Sequence, residues 1–515
     1  MTRPAQILVA GAGPAGLALA LQAHDHGAEV RIVDRRPAAF RPSRALIMHP
    51  RTLEVLRPLG VTGALLARAD TAPTAELRLG RRAVRVRLAG FALPDTAFPH
   101  LSLIRQMDVE MVLAGALAER GVDVERGTEL ARVRDRGADV LAVLRTPGQL
   151  DEACFDAVAG CDGPASTVRA QAGIGWAGRP YPVEIVLADA DLDGDLRAGA
   201  AHVAAGPGGL VFVFALGEQA PWRLLATRPA GAGPAPFGQP GSPVPAAELQ
   251  ALLDQSGLAA RITGLAWSAR YRVQHRLAGR FSAGRLYLAG EAAHAYSPAT
   301  GQGMNAAIQD AANLGWKLAL AAPGPAGAVL LGSYDQERRP VARQVLGLTH
   351  LAFWAEAATG PLPALLRGRV MPLAGSAVPA LLGQRRLAAA GYRLLSQLGV
   401  NYRSSPLSVA GTPRWRGGPR AGDRLPDQAV TCAGRQARLH ELTARPGVHV
   451  LLDRDAGWPA GLRAGPLLTV HRLTSVPGRG LLAVRPDGYV GFCGQDTDAP
   501  LLTAWLAGFT LLHPR

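Results

Sequence analysis

Residues Gln6 to Asp34 read QILVAGAGPAGLALALQAHDHGAEVRIVD, and the change of period inside this stretch sets the fold class. Gln6 to Ala10 is an apolar run of strand length, Gly11 to Gly16 a glycine-rich turn, and Leu17 to His26 a helical composition that Gly27 stops. Glu29 to Asp34 returns to a strand, so the chain opens with a compact βαβ unit. Gly11, Gly13 and Gly16 have GxGxxG spacing, with Pro14 and Ala15 inside the turn. Absent side chains let a pyrophosphate approach the unpaired N–H groups of a helix start. Asp34 ends the second strand, placed to accept a hydrogen bond from an adenosine ribose hydroxyl, with Arg35 beside it. A dinucleotide is indicated; this stretch alone leaves FAD and NAD(P) both open.

Working outward, β and α signals alternate up to about residue 175, and the pattern then becomes strand-like to about residue 275. The expected organisation is α/β: a Rossmann-type domain over 1–175, with a short excursion near 72–102, and an inserted mixed sheet over 176–275. The first domain resumes over 276–402 and includes a helical region. A Ser, Pro, Gly and Arg-rich linker spans 403–423, and a smaller unit spans 424–515. A chain of 515 residues, 48% hydrophobic, has material for more than one core.

The net charge of +15 hides a bias: of 55 basic residues only Lys317 is a lysine. The arginines are scattered through helical and strand-like segments alike, whereas nucleic-acid binding predicts clustered basic patches. Long-range attraction of an anionic cofactor fits the charge better. Cys154, Cys161, Cys432 and Cys493 form no CxxC pair and no metal-ligand spacing, which suits a reduced cytoplasmic setting and no metal site. The longest uncharged runs, Ala198 to Gly217 and Leu318 to Tyr334, are broken by Gly and Pro, so no membrane span is expected.

The choice of cofactor turns on a second segment. Leu286 to Leu288 reads as a buried strand leading into Gly290, Glu291 and His294, then Pro298, after which Gly301, Gly303, Met304 and Asn305 open a helix. Gly290 to Asn305 resembles the second FAD-binding signature of the para-hydroxybenzoate hydroxylase-like flavoprotein monooxygenases. A helix start aimed at a second anionic part of one cofactor suits FAD better than NAD. The resemblance implies that the acidic residue holds a ribityl hydroxyl; here it is Glu291, one methylene longer than the usual Asp. A third segment, Asp162, Gly163, Ser166 and Arg169, resembles the DG motif of the same enzymes, associated with FAD and NAD(P)H. By itself Asp162 also reads as a turn carboxylate, and Arg169 as a solvated helix residue. RALIMHPRTLEVL, Arg44 to Leu56, resembles the segment in which an arginine closes one side of the cofactor, Arg44 being the better candidate and Arg51 equally a surface residue. Gln106 matches a glutamine that touches the ribityl chain. GDRLPD at 422–427 and VRPDGYVGF at 484–492 resemble the thioredoxin-like terminal domain of the aromatic polyketide hydroxylase branch.

The resemblance implies that NAD(P)H, visiting transiently, reduces FAD, that O2 adds to form a flavin C4a-hydroperoxide, and that one oxygen passes to a polycyclic aromatic or polyketide-type small molecule. Such chemistry belongs to the cofactor and needs no protein nucleophile. Alternatives are Baeyer-Villiger oxidation, epoxidation, antibiotic inactivation, a reductase without oxygen insertion, and a carrier that kept the scaffold. The ligand is expected between the inserted sheet and the flavin, facing His294 to Pro298. Catalytic candidates there are Arg44, His294 and Pro298. Phe212 and Phe214 share a strand face by alternation, and Trp222, Trp267 and Tyr271 are candidate aromatic walls. Arg272 and His275 are candidates to polarise a ligand oxygen. A monomer or homodimer is expected.

Overall fold

A computed structural model describes residues 6–38, 45–79, 82–206, 209–231, 237–238, 240–357, 384–412, 418–458 and 465–509. Its first sheet has six strands in the order Ser282–Ala283, Leu286–Leu288, Ala157–Gly160, Gln6–Ala10, Glu29–Asp34, Val124–Arg126, all parallel except the first. Its central strands are continuous apolar runs because both faces are covered: Leu8, Val9, Ile32 and Val158 are fully buried. The helix Pro14–His24 is buried along its length from Ala15 to Ala23, which explains a sequence apolar on every side. It packs between the helices Gln106–Ala118 and Gln302–Leu320.

The second sheet has eight strands in the order His294–Ala295, Ala260–Ala278, Trp176–Gly194, Trp222–Pro229, Gly209–Phe214, Ala200–Gly206, Thr74–Leu79, Arg82–Arg87. Side chains of residues paired across strands stand on the same side of a sheet. Phe212 pairs with Leu225, Leu225 with Leu187, and Leu187 with Ala269; Phe214 pairs with Arg223, Arg223 with Asp189, and Asp189 with Trp267; Ile185 pairs with Tyr271. Phe212, Phe214, Trp267 and Tyr271 therefore share one face. The opposite face carries Val186, Ala188, Val211 and Val213, packed on the helix Ala246–Ser256 through Leu249 and Leu253.

A long helix, Pro325–Ala357, leads from the first domain across the second sheet. The last sheet has seven strands in the order Val409–Ala410, Val490–Gln495, Gly480–Val484, Val448–Asp453, Leu468–Leu473, Ala429–Cys432, Arg435–Arg438, and the helix Ala499–Leu506 covers part of it. Val409–Ala410, inside the stretch expected as an exposed connection, pairs in parallel with Phe492 and Cys493. No described helix is long and apolar enough to cross a membrane.

Candidate cofactor cleft and substrate face

Each glycine of the first turn has a distinct physical duty. At Gly11, with φ +101°, an added Cβ would lie 2.3 Å from the Cys161 carbonyl oxygen, and at Gly16 it would lie 1.8 Å from the Gly11 carbonyl oxygen. Both are fixed by close backbone packing. At Gly13 a Cβ would meet nothing within 4 Å, so this glycine leaves free space at the start of the helix, where Pro14 takes a first-turn position. Asp34 locks the turn from the second strand, its Oδ2 accepting the Ala12 amide N–H at 2.9 Å. Burial alone would raise the Asp34 pKa, but hydrogen bonds and charge from Arg36, then the backbone N–H groups of Arg36 and Ala12, hold it below the usual carboxylate range. The basic partner is Arg36 and not Arg35: Arg36 Nη2 lies 2.9 Å from Asp34 Oδ2, while Arg35 is exposed.

The second helix start repeats the device. Gly301, at φ +65°, caps Gln302–Leu320, and a Cβ there would come within 2.8 Å of the Ile47 Cβ, whereas one at Gly303 would meet nothing within 4 Å. Thr300 also adopts φ +65°, a left-handed conformation that costs a β-branched residue on the order of 1–3 kcal/mol. The His49 ring, Nε2 donating to the Thr300 carbonyl at 3.0 Å, helps hold it there. Asn305 uses all its hydrogen-bonding capacity: Nδ2 donates to the Ile47 and Gly301 carbonyls, and Oδ1 accepts from His49 N and Thr52 Oγ1. Met304 is buried beside it. The two starts meet at Gly290, φ +63°, whose Cβ would fall 3.1 Å from those of both Ala15 and Ala307.

The third motif is a strut between them. Arg169 donates to the Ala292 carbonyl at 2.9 Å and the Pro164 carbonyl at 2.6 Å, with its guanidinium 4.1 Å from the Trp176 ring centroid. It is buried rather than solvated. Asp162 Oδ2 accepts the Thr167 N–H at 2.7 Å, while its buried Oδ1 has no protein partner, and burial raises its pKa. Gly163 follows at φ +80°. Gln106 donates to Glu110 Oε1 at 2.8 Å and receives the Ala45 N–H at 3.4 Å. Arg36 feels the charges of Asp34, Glu110 and the half-buried Glu291, so three segments come close together around it. Arg44 lies outside the described residues.

Two free-space glycines at adjoining helix starts, with a buried carboxylate oxygen awaiting a donor, suit a long dinucleotide with a pyrophosphate at one end and a polar ring at the other. FAD fits that description.

Four expectations change with the structure. His294 does not face a ligand: it is buried, its Nε2 is 2.5 Å from Asp310 Oδ2, and its ring stacks on Tyr296 at 4.5 Å. Asp310 also accepts the Gly290 N–H at 3.1 Å and Arg338 Nε at 2.7 Å. Burial would raise its pKa, but His294 and Arg338 keep it low. Trp222 stands on the far side of the sheet, against the helix-covered cluster, since it pairs with Ala190 and alternates with its neighbour Arg223. Arg272 is on that far side too, paired with Glu184 and donating to the Gly231 carbonyl at 3.3 Å. Arg51 is 2% exposed, donating to the Asp487 carbonyl at 2.6 Å. Nothing in the local sequence marks Asp310 and Arg338 as a pair, because they meet only through the fold, 28 positions apart.

The remaining substrate candidates do converge. The Phe212 and Phe214 rings lie parallel, 6.1 Å apart, and pack with Leu46, Ile47 and Leu103, the segment beneath Gly301. Trp267 and Tyr271 continue that face with Ile185, Leu187 and Leu225. His275 extends it toward the long helix, 4.8 Å from His350. Pro298 is exposed at the entrance to the second helix turn.

A family model described as an FAD binding domain matches residues 4–349. The 6-methylpretetramide 4-monooxygenase of Streptomyces rimosus is 33% identical over 98% of this chain and 94% of that protein. The rifampicin monooxygenase of Streptomyces venezuelae is 30% identical over 98% of this chain and 99% of its own. Among solved structures, the OxyS anhydrotetracycline hydroxylase from Streptomyces rimosus superposes with a TM-score of 0.76 at 26% identity, covering 99% of this chain and 100% of that one.

Proposed function

Because the chain belongs to the FAD-binding-domain family of flavin-dependent monooxygenases, we propose that it hydroxylates a polycyclic aromatic, polyketide-type small molecule with O2, NAD(P)H serving as a transient reductant. The observation that carries this reading is the aromatic sheet face, Phe212, Phe214, Trp267 and Tyr271, whose phenylalanine end packs on the Ile47 segment that underlies Gly301. A flat fused ring gains most from such a wall, through both burial and offset stacking. FAD, when bound, supplies the redox chemistry and the route by which O2 is activated.

The protein's own contribution is position and electrostatics. Gly11, Gly13, Pro14, Ala15 and Gly16 present the first helix start to the pyrophosphate. Asp34 and Arg36 serve the adenosine end, with Arg35 at their margin. Gln106, Asp162, Gly163, Gly290 and Glu291 line the middle of the cleft, and Arg169 braces it. Gly301, Gly303, Met304 and Asn305 present the second start, whose positive end favours negative charge on the ring system. Pro298 and Arg44 border the ligand side. No protein nucleophile takes part.

The test is product mass. Incubating the FAD-loaded protein with NADPH, isotope-labelled O2 and a panel of polyketide phenols and quinones should yield a product carrying one labelled oxygen. Trp267→Ala and Phe214→Ala should raise KM about tenfold for that ligand, as expected for losing a buried aromatic contact. NADPH consumption without label in any product would instead favour a reductase. Similarity to rifampicin monooxygenase supports a second reading, oxidation of a finished antibiotic on the same face, and the panel should include such compounds.

A further inference from the structure

Between the cofactor domain and the last sheet lies a cleft of about 410 Å³, part of it open to solvent. One wall is the helix Pro50–Leu56 with the tight turn Arg57–Leu59 that follows it; the other is the segment 443–447 and the turn 485–488. None of its lining residues belongs to either glycine-rich helix start.

The first wall holds donors that the protein leaves unmatched. Arg51 Nε and Arg57 Nη1 are both buried with no hydrogen-bond partner among the described residues, and Arg51 as a whole is fully buried. A guanidinium N–H in that position costs stability unless something pairs with it. The carboxylates of the cleft are already committed. Glu54 Oε2 accepts from Arg51 Nη1 at 3.1 Å, and Glu54 Oε1 from Thr96 and Arg424. Asp487 is held through both oxygens by Arg485, with Asn313 also on Oδ2. Arg57 and Arg445, from opposite walls, have no ion pair among the described residues. His440 and His449 also line the cleft, and burial lowers the pKa of each ring, so neither adds charge at neutral pH. The charge left over is that of two arginines facing one space.

Two uncompensated cations with buried guanidinium donors suit a tetrahedral dianion better than a carboxylate with its single charge. A phosphate monoester carries about −1.5 to −2 at pH 7. We propose that this cleft is a phosphate-recognising site distinct from the cofactor's own pyrophosphate site, taking a phosphate dianion either free or as a monoester. Arg51 and Arg57 hold it from the cofactor domain and Arg445 from the last sheet, so the bound dianion bridges the two units.

The experiment uses the FAD-loaded protein, in which both helix starts are filled, and replaces chloride by inorganic phosphate at constant ionic strength. The melting temperature should rise saturably, with half-saturation on the order of 1 mM. Arg57→Gln and Arg445→Gln should each weaken phosphate about tenfold, the scale of a hydrogen bond to a charged group. Arg435→Gln removes the same charge from an exposed strand elsewhere in the last sheet and should leave the affinity within about twofold. Arg445 is exposed, so its variant keeps the inference testable should Arg57→Gln misfold. Adenosine 2′- and 5′-monophosphates, with adenosine as the comparator lacking phosphate, separate the sources. Binding at least tenfold tighter than inorganic phosphate, with the same dependence on Arg57 and Arg445, supports the site as one for a phosphate ester; equal binding supports it as one for free phosphate. No saturable rise in wild type, a rise unchanged in both Arg57→Gln and Arg445→Gln, or one that Arg435→Gln loses to the same extent, overturns the assignment.

Discussion

Asp310 shows what a single buried carboxylate does in this cleft. Three donors converge on it, the Gly290 N–H and the side chains of His294 and Arg338, and all three groups are buried with it. Asp310→Asn would leave the Arg338 guanidinium buried and uncompensated, so a loss of about 3–5 kcal/mol is expected. Chemical denaturation should show it as a lowered midpoint at unchanged slope, together with weaker FAD retention, because the Gly290 turn loses its anchor. Such a residue was illegible in the sequence. A lone Asp in the run AAIQDAAN is distinguished only by partners that lie 16 to 28 positions away. The same holds for His294, whose motif neighbours were readable but whose direction was not.

At the scale of elements, the two helix starts were legible because their constraints are local: a glycine whose Cβ would strike backbone leaves its mark in the sequence whatever surrounds it. Gly301, whose local constraint is its left-handed φ, gives a prediction. Gly301→Ala combines a left-handed φ with a contact to Ile47, and should weaken FAD binding at least tenfold, measured by quenching of flavin fluorescence. Adding Ile47→Ala should recover the steric part and leave the conformational part, about 1 kcal/mol. The sheet faces were half legible. Alternation correctly joins Phe212 to Phe214, but Trp222 and Arg272 fall on the wrong side, because alternation within a strand carries no information on which side faces the cofactor until pairing fixes it.

Across the whole molecule, the last sheet is tied to the cofactor domain by buried charge. Arg485 donates to Glu337 Oε1 and Oε2 at 2.7 and 2.8 Å, Lys317 Nζ lies 2.7 Å from Glu337 Oε2, and Asn313 reaches both Glu337 and Asp487. The chain's single lysine, unremarkable in the sequence, is thus fully buried, and burial, opposed mainly by Glu337, lowers its pKa to about 8. Arg485→Ala should cost about 3–5 kcal/mol and destabilise both units together in a melting experiment. Acid should act on the same interface. His26 Nδ1 donates to the Gln22 carbonyl and Nε2 accepts the Gly447 N–H at 3.0 Å, an arrangement open only to the neutral ring. Burial lowers the His26 pKa to about 4, and that of His49 likewise. The unfolded chain takes up these protons near pH 6.5, so stability is complete above that pH and falls as pH drops toward 4, by up to ~3 kcal/mol for each ring. Melting temperature followed from pH 7 to 4 should decline, and His26→Gln should flatten part of the decline.

The central claim is that both helix starts grip one FAD, and Gly13 and Gly303 test it together. Neither position would crowd a protein atom on gaining a Cβ, so Gly13→Val and Gly303→Val should fold with near wild-type melting temperatures. Titrating FAD into each by calorimetry should show tight binding to wild type and a loss of a hundredfold or more in both variants, on the order of 3 kcal/mol. Wild-type affinity in either variant, or a wild-type protein that takes up no FAD, would contradict the account.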